Sequence, residues 1–424
     1  MFTINQLGTF DLENYGDLLY PIVFRNILQR QDTGLDVCQY SFLAGDAPQE
    51  AGFKTHSIQT LFDAESQVTR GLGGSAGDAQ VIAKRIVIGG GDILRTDWDV
   101  VATPYSRGSR GQAGLVRRSL GAPNFLSYQL LRPLPAWRQD AFFANRFRRR
   151  WMNYPAVGPF LIDPNNLAAG STVSYLSCGV PHEIPSDQKD NVKRALDHAQ
   201  FIYVRDEQSA EKLGRCGVQR EIHVAPDLIV TLSEQFDHTA LARKGQEILA
   251  GSGVKDERPI ICFQSKDYPH FQVNEILEHL LNYQTKTDSQ VILLPLGYCH
   301  SDHEFLQRLA TQSGGALKYI NLYSVFDLMS VIAASDLFVG TSLHGNITAF
   351  SFGIPHLIGP LPVDKADGFL RAVDLPLDLK LRSWNELTDK IEMARRLGGP
   401  FFSSLARNAK QKVNRVVGEL LKVL

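Results

Sequence analysis

No two of the five cysteines in this 424-residue chain form a CxxC pair; Cys38, Cys178, Cys216, Cys262 and Cys299 are scattered and odd in number. That pattern argues against a full disulfide framework. The opening residues, Met1-Phe2-Thr3-Ile4-Asn5-Gln6, lack a basic segment followed by a long apolar one, so no secretory signal is expected. No run approaches about eighteen consecutive apolar residues, the length a spanning helix needs. An excess of one charge is missing too: the net charge is -1, which predicts no general affinity for nucleic acid. Histidine and cysteine show no close metal-ligand spacing beyond His300-Ser301-Asp302-His303, in a polar, loop-like stretch, so no metal is expected. Short-period repeats are absent. The expectation is a cytoplasmic protein without a metal or cofactor of its own.

What is present is the composition of a globular protein, 44% hydrophobic and 21% charged, at a length that suits two domains. Apolar strands alternate with amphipathic helical segments, which specifies parallel sheets. Strands are expected at 2–10, 85–88, 172–177, 201–205 and 222–224, with a helix from about Glu207 to Leu213. The loop after the first strand carries Asn14-Tyr15-Gly16-Asp17, where Asp17 is placed to cap a helix beginning near Leu18. From Glu234 to Glu257 the pattern loosens into a polar, Gly- and Lys-containing stretch, read as an interdomain connection. A second series follows, with strands at 259–263, 291–294, 336–339 and 356–358 and a helix at 325–334. Residues 403–424 have helical periodicity. The expected architecture is α/β: two doubly wound, Rossmann-like domains facing a cleft, residues 1–232 and 258–400, with the last helix packing back on the first domain.

One segment stands out. The strand Asp336-Leu337-Phe338-Val339 ends in Gly340-Thr341-Ser342, and an amphipathic segment then runs to Gly353-Ile354-Pro355. His344 therefore falls in the first turn of a helix, just beyond the carboxyl end of a buried strand. Free backbone N–H groups and the positive end of the helix dipole gather there, so the place suits an anion. An imidazole beside them strengthens the case, although it can also serve only to cap its own turn.

Between Arg95 and Trp151 lies a stretch of a different kind. It holds eleven arginines, no lysine and three acidic residues, Asp97, Asp99 and Asp140. Its end, residues 137–151, interleaves basic and aromatic side chains. Three readings stay open: a solvated excursion, a lid that brings arginines to an anionic substrate, and an element resting on anionic lipid at the inner face of the membrane.

Six motifs, in order, resemble the polysaccharide pyruvyltransferases: Asn14-Tyr15-Gly16-Asp17, Ile88-Gly89-Gly90-Gly91-Asp92, Ser177-Cys178-Gly179-Val180-Pro181, Val204-Arg205-Asp206-Glu207-Gln208-Ser209, Ala225-Pro226-Asp227 and Ser342-Leu343-His344-Gly345. Each is weak alone, but the ordered set spans roughly residues 8 to 370. The resemblance implies a fold like that of the GT-B glycosyltransferases. It implies transfer of a pyruvyl group from phosphoenolpyruvate to a sugar of a cell-surface polysaccharide or its precursor, lipid-linked or free, as a cyclic ketal. It further implies that Arg205 and His344 hold the donor, joined by Lys365, which follows the strand after the histidine helix. Arg205 can equally form a salt bridge with Asp206 or Glu207, and Lys365 can be a solvated surface residue.

On the acceptor side the candidates are Asn14 and Asp17, the latter as a base for an attacking hydroxyl or as a helix cap. Gly90 and Gly91 let backbone approach a ligand or pack tightly at a strand end. Many relatives carry an arginine where this chain has Ser342; either an arginine from the 95–151 stretch replaces it or the donor is held differently. Cys178 reads as a small core residue, since no activating base is near in sequence. Two rivals are a nucleotide-sugar glycosyltransferase of the same fold, disfavoured by the lack of a Glu-x₇-Glu pattern around His344, and a catalytically idle scaffold, which a closed cleft or dispersed candidates would favour.

Overall fold

The computed structural model describes residues 3–31, 34–62, 83–95, 97–98, 101, 158–254, 258–268, 271–361 and 365–424. Most of the Arg-rich stretch 95–151 lies outside the described residues, and with it the lid reading of that stretch and the lipid-contact reading of 137–151.

Two sheets organise the chain. The first runs in the order β3-β4-β2-β1-β5-β6-β7-β8, from β1 (Thr3–Leu7), β2 (Asp36–Ser41), β3 (Gly45–Asp46), β4 (Lys54–Ser57), β5 (Arg85–Gly89), β6 (Thr172–Cys178), β7 (Phe201–Val204) and β8 (His223–Val224). Its pairings are parallel except between β3 and β4. The second runs β11-β10-β9-β12-β13, from β9 (Ile260–Gln264), β10 (Gln290–Leu293), β11 (Lys318–Tyr319), β12 (Leu337–Gly340) and β13 (His356–Ile358), all parallel. Helices on both faces explain why β6, β7, β9, β10 and β12 are continuous apolar or buried runs rather than alternating ones.

Strand order fixes where a ligand can sit. In the first sheet the chain moves outward from β1 in one direction, then returns to β5 and moves outward in the other. The reversal falls between β1 and β5. In the second sheet it falls between β9 and β12. Loops at the carboxyl ends of such neighbours separate and leave a crevice.

The helices used below are α1 (Tyr15–Arg30), α2 (Lys189–Asp197), α3 (Glu207–Arg215), α4 (Leu232–Gln235), α5 (His238–Gly251), α6 (Val273–Thr287), α7 (Asp302–Gln312), α8 (Val325–Ala333), α9 (Leu343–Ser351), α10 (Lys365–Ala372) and α11 (Leu387–Val423). Helix α1 starts three residues before the expected position, and Asp17 is not its cap. Asn14 occupies the N-cap in extended conformation, with φ -127° and ψ 110°. That start is set by tertiary contacts: Asn14 bridges Gly297, and Tyr15 N–H donates to Leu296 O at 2.9 Å. No local pattern encodes those partners.

The loosened stretch 234–257 contains α5, capped by Asp237, whose carboxylate accepts from Ala240 N–H at 2.7 Å. It packs so closely on α8 that a Cβ at Gly245 would lie 2.1 Å from Ser330 O. Its polar composition is that of a solvated helix face.

The two sheets are fastened together beside the crevice. Cys299 N–H donates to Glu13 O at 3.2 Å, Tyr323 OH to Glu13 Oε1 at 2.8 Å, and Val325 N–H to Gln49 O at 2.8 Å. A buried contact of 3.0 Å joins Tyr15 OH and Thr348 Oγ1. One apolar cluster runs through both units, including Leu18, Leu19, Ile347 and Phe350. Helix α11 bends at Gly398 (φ 70°), and its far end reaches the first sheet, where Gln200 Nε2 donates to Val423 O at 2.7 Å and His223 Nδ1 lies 3.2 Å from Glu419 Oε2.

Candidate active site

At the carboxyl end of β12, Ser342 caps α9, its Oγ accepting from Gly345 N–H at 3.2 Å. Asn346 Nδ2 donates to both Gly340 O and Ser342 O at 2.9 Å, which locks the turn. Gln264, at the end of the neighbouring β9, accepts from Ser342 N–H at 2.7 Å through Oε1, while its Nε2 donates to Asp302 Oδ2 at 2.6 Å. Gly297 N–H donates to the same Asp302 oxygen at 2.9 Å. The helix that carries His344 is thus tied to the loop that grips Asn14.

His344 projects across the interface into the first unit. Its Nε2 lies 3.1 Å from Tyr20 OH and 3.7 Å from Asp227 Oδ2. Tyr20 OH donates to that same Asp227 oxygen at 2.5 Å. The imidazole packs closely against the start of α1, where a Cβ at Gly16 would fall 2.0 Å from Nδ1. Glycine is required at position 16 by the ring, not by backbone conformation.

Arg205 follows β7 and is almost fully buried, its guanidinium lying over Gly179, where a Cβ would come within 2.7 Å of Cζ. It faces three carboxylates. Nη2 donates to Asp92 Oδ1, Nε lies 3.7 Å from Asp206 Oδ2, and Nη1 lies 3.7 Å from Asp227 Oδ2. The salt bridge with Asp206 is present, but it is one of three. Lys365 opens α10, and its Nζ lies 3.7 Å from Asp92 Oδ2. Asp92 is aimed by its loop: Gly90 (φ 97°) and Gly91 (φ 68°) turn the chain, and Gly179 N–H donates to Gly91 O at 2.8 Å. Room is needed at Gly90 as well, since a Cβ there would meet the Tyr20 ring at 2.4 Å.

These environments separate the acids into two kinds. Burial would raise the pKa of Asp92, but Arg205, Lys365, Arg95 and His344 outweigh it and hold the carboxylate below its usual range. Burial is likewise overcome at Asp227 by His344, Arg205 and Tyr20, which lower its pKa. At Asp17 burial wins: its pKa is raised despite His344 and hydrogen bonds from Asn14 (Nδ2 to Oδ2, 2.9 Å) and Thr9. Asp302 is pushed up to about 6 by burial, against the hydrogen bonds from Gln264 and Gly297. Arg205 loses solvation on burial, but Asp92, Tyr20, Asp227 and Asp206 more than compensate and raise its pKa. Burial pushes the Cys178 thiol up to about 12, which leaves it unreactive near neutrality.

All eight residues singled out from the sequence, Asn14, Asp17, Gly90, Gly91, Arg205, Ser342, His344 and Lys365, line one cavity of about 310 Å³. It lies where the two strand-order reversals face each other. Sequence reasoning did not assign roles to Asp92, Asp227, Tyr20, Gln264 or Asp302. Two of these carried a signal, since Asp92 closes the glycine triplet and Asp227 ends Ala225-Pro226-Asp227. Tyr20 stands four residues after Gly16 and three after Asp17, one face of a helix. Among the described residues, no three His, Cys, Asp or Glu side chains come together in a way that could hold a metal ion.

The fold is a two-domain α/β architecture of the GT-B type. The chain belongs to the polysaccharide pyruvyl transferase family, whose sequence model matches residues 14–358. It is therefore a polysaccharide pyruvyltransferase, taking a pyruvyl group from a phosphoenolpyruvate-type donor to a saccharide. No curated protein matches the chain.

Among solved structures it is similar to a glycosyltransferase from Rickettsia africae ESF-5 (TM-score 0.53, 11% identity, covering 100% of this chain and 97% of that one). It is similar also to Anabaena Alr3699/HepE in complex with UDP-glucose (0.53, 12%, 100% of both chains). A UDP-GlcNAc 2-epimerase from Neisseria meningitidis bound to UDP-GlcNAc gives the same TM-score at 11% identity, with 100% of both chains covered. At such identities the likeness is one of fold, and their nucleotide sugars are not carried over.

Proposed function

We propose that the cavity binds phosphoenolpyruvate against Arg205, His344 and Lys365 and joins its C2 to two hydroxyls of one sugar residue. The observation that carries this reading is the convergence of those three side chains, far apart in sequence, on one small cavity. The donor bears a carboxylate and a phosphate, which are costly to desolvate unless cations and aimed N–H groups are fixed around them. The N-terminus of α9 adds its dipole at the same place.

In the reaction a proton reaches the methylene carbon and C2 becomes electrophilic. One hydroxyl adds to C2, the C2–O bond to phosphate breaks with its electron pair leaving on phosphate, and the second hydroxyl adds. Of the two hydroxyl protons released, one balances the proton gained by the methylene carbon and the other leaves with phosphate. Asp17, with a pKa raised by burial, is assigned the proton drawn from an attacking hydroxyl. Asp227 is held ionised and is assigned to orienting His344 and Tyr20. His344 is assigned to the charge that develops on the departing phosphate.

The test is incubation with phosphoenolpyruvate and a panel of saccharides while phosphate release is followed. Saccharide-dependent release is expected; none with any saccharide would defeat the assignment. We further propose a lipid-linked acceptor, met at the cytoplasmic face of the membrane through residues 137–151, on the strength of their basic and aromatic side chains. Among the described residues no helix is long and apolar enough to cross a membrane. Co-flotation with vesicles containing anionic lipid is expected, and its absence would remove this second step.

A further inference from the structure

Arg205 and Lys365 come from different halves of the molecule and share one partner. Asp92 accepts from Arg205 through Oδ1 and faces Lys365 at 3.7 Å through Oδ2, so one carboxylate bridges two of the cations assigned to the donor. Its two oxygens stand where an anionic group of the donor would be expected. We infer that Asp92 is an internal stand-in for the donor's anion, occupying the Arg205–Lys365 pair in the unliganded protein and leaving it when phosphoenolpyruvate binds. The inference rests on the donor reading above.

The three carboxylates around Arg205 are not equivalent. Asp206 is buried and caps α3, accepting from Ser209 N–H at 2.7 Å. Asp227 is buried and accepts from Ile229 N–H at 3.0 Å as well as from Tyr20. Each is anchored to backbone and neutralises Arg205 permanently. Asp92 is different: about a quarter of its side chain is exposed, it lines the cavity, and among the described residues its bonds are to side chains alone. A rotation about its own side-chain torsions releases it without breaking a backbone bond. Arg95, three residues on, also acts on the Asp92 charge, with its guanidinium held by Asp97 at 2.8 and 3.0 Å.

Electrostatics favours the exchange. With Asp92 in place its carboxylate offsets charge on both Arg205 and Lys365, and Asp206 and Asp227 face Arg205 as well, so a donor with two anionic groups meets cations that are already paired. Moving Asp92 aside leaves Lys365 and one edge of Arg205 for the donor. It also sets a threshold, since a ligand with a single carboxylate gains little by replacing one carboxylate with another. Phosphate and phosphoenolpyruvate can outcompete Asp92; pyruvate cannot.

The experiment is calorimetric titration of the full chain and of Asp92→Asn with phosphoenolpyruvate, inorganic phosphate and pyruvate. If Asp92 occupies the cations most of the time, removing its charge tightens phosphoenolpyruvate and phosphate binding by about tenfold, because apparent affinity scales with the fraction of molecules ready to bind. Pyruvate binding should become measurable only in the variant. Unchanged or weaker binding of both phosphorylated ligands by a folded Asp92→Asn protein would overturn the inference. Tighter phosphate binding without any binding of phosphoenolpyruvate would keep the stand-in and remove the donor reading instead. Should the variant fail to fold, a crystal structure of the unaltered chain with phosphoenolpyruvate decides: Asp92 is expected away from Arg205 and Lys365, and a carboxylate still bridging them defeats the proposal.

Discussion

The two walls of the cavity are built from opposite materials. The first unit contributes the acids Asp17 and Asp92 together with Arg95 and Arg205, and the buried Asp206 and Asp227 stand behind Arg205. The second contributes His344, Lys365, Lys266 and the N-terminus of α9, with Asp302 as its acid, bound by Gln264 and Gly297. The division fits the chemistry proposed for two substrates. Hydroxyls that must lose protons need carboxylates, whereas a phosphorylated carboxylic acid needs cations and N–H groups. Where the walls meet, Asp92 lies 3.7 Å from Lys365 and Asp227 lies 3.7 Å from His344.

The sharpest way to break this comparison is to remove the cationic wall's central group. His344→Ala should lower turnover by about a hundredfold or more, as loss of a charge-stabilising group at a reacting centre does. The melting temperature should barely move; near-normal phosphate release would place His344 outside the reaction.

On the acidic wall, Asp17→Asn keeps the shape and the Asn14 contact but removes the base. A loss of about thirtyfold in kcat with phosphoenolpyruvate affinity retained is expected. A loss confined to donor binding would instead put Asp17 on the other side of the division.

Gly16→Ala probes the seam between the walls. Alanine favours a helix by about 1 kcal/mol over glycine, yet its Cβ would sit 2.0 Å from His344 Nδ1 and push the ring aside. Activity should fall by about tenfold while the melting temperature holds or rises. A parallel fall in both would mean the fold, rather than the ring, had been disturbed.

The smallest effect concerns the one acid of the cationic wall. Asp302 has its pKa raised by burial from 3.8 to about 6, so between those values the folded state holds more protons than the unfolded. Its contribution to stability is therefore greatest at acid pH and is lost as pH rises toward and through about 6. Asp302→Asn cannot ionise and should escape that loss. The unaltered chain should fall by a few degrees more than the variant in melting temperature between pH 5 and pH 7.5. Equal slopes would show that Asp302 does not titrate there.

Much of the site was legible in the sequence because it is written at strand ends, where short polar and glycine-rich motifs interrupt apolar runs. Asn14, Asp17, Gly90, Gly91, Ser342 and His344 stand in such motifs, while the donor roles of Arg205, His344 and Lys365 rested on the family resemblance; all eight reach one cavity. Tyr20 and Gln264 were not legible: Tyr20 sits inside a helix among apolar neighbours, Gln264 closes a buried strand without a glycine-rich motif, and their roles depend on partners about 324 and 78 residues away in sequence. The first helix was misplaced by three residues for a similar reason. Its start is dictated by Leu296 and Gly297, across the interface.

The amino-acid order by itself determined the alternation of strands and helices, the buried parallel sheets and the chemical types available at each strand end. These follow from local sterics, hydrophobic periodicity and capping, which act over a few residues. Only the tertiary structure decided which acids remain ionised and which keep a raised pKa, because that depends on how far burial is offset by cations brought from elsewhere. Asp17 and Asp92 are both aspartates in loop-to-helix or strand-end motifs, indistinguishable along the chain. Folding places Arg205 and Lys365 against Asp92, whereas at Asp17 burial outweighs His344 and the hydrogen bonds from Asn14 and Thr9, and that difference moves their pKa values in opposite directions.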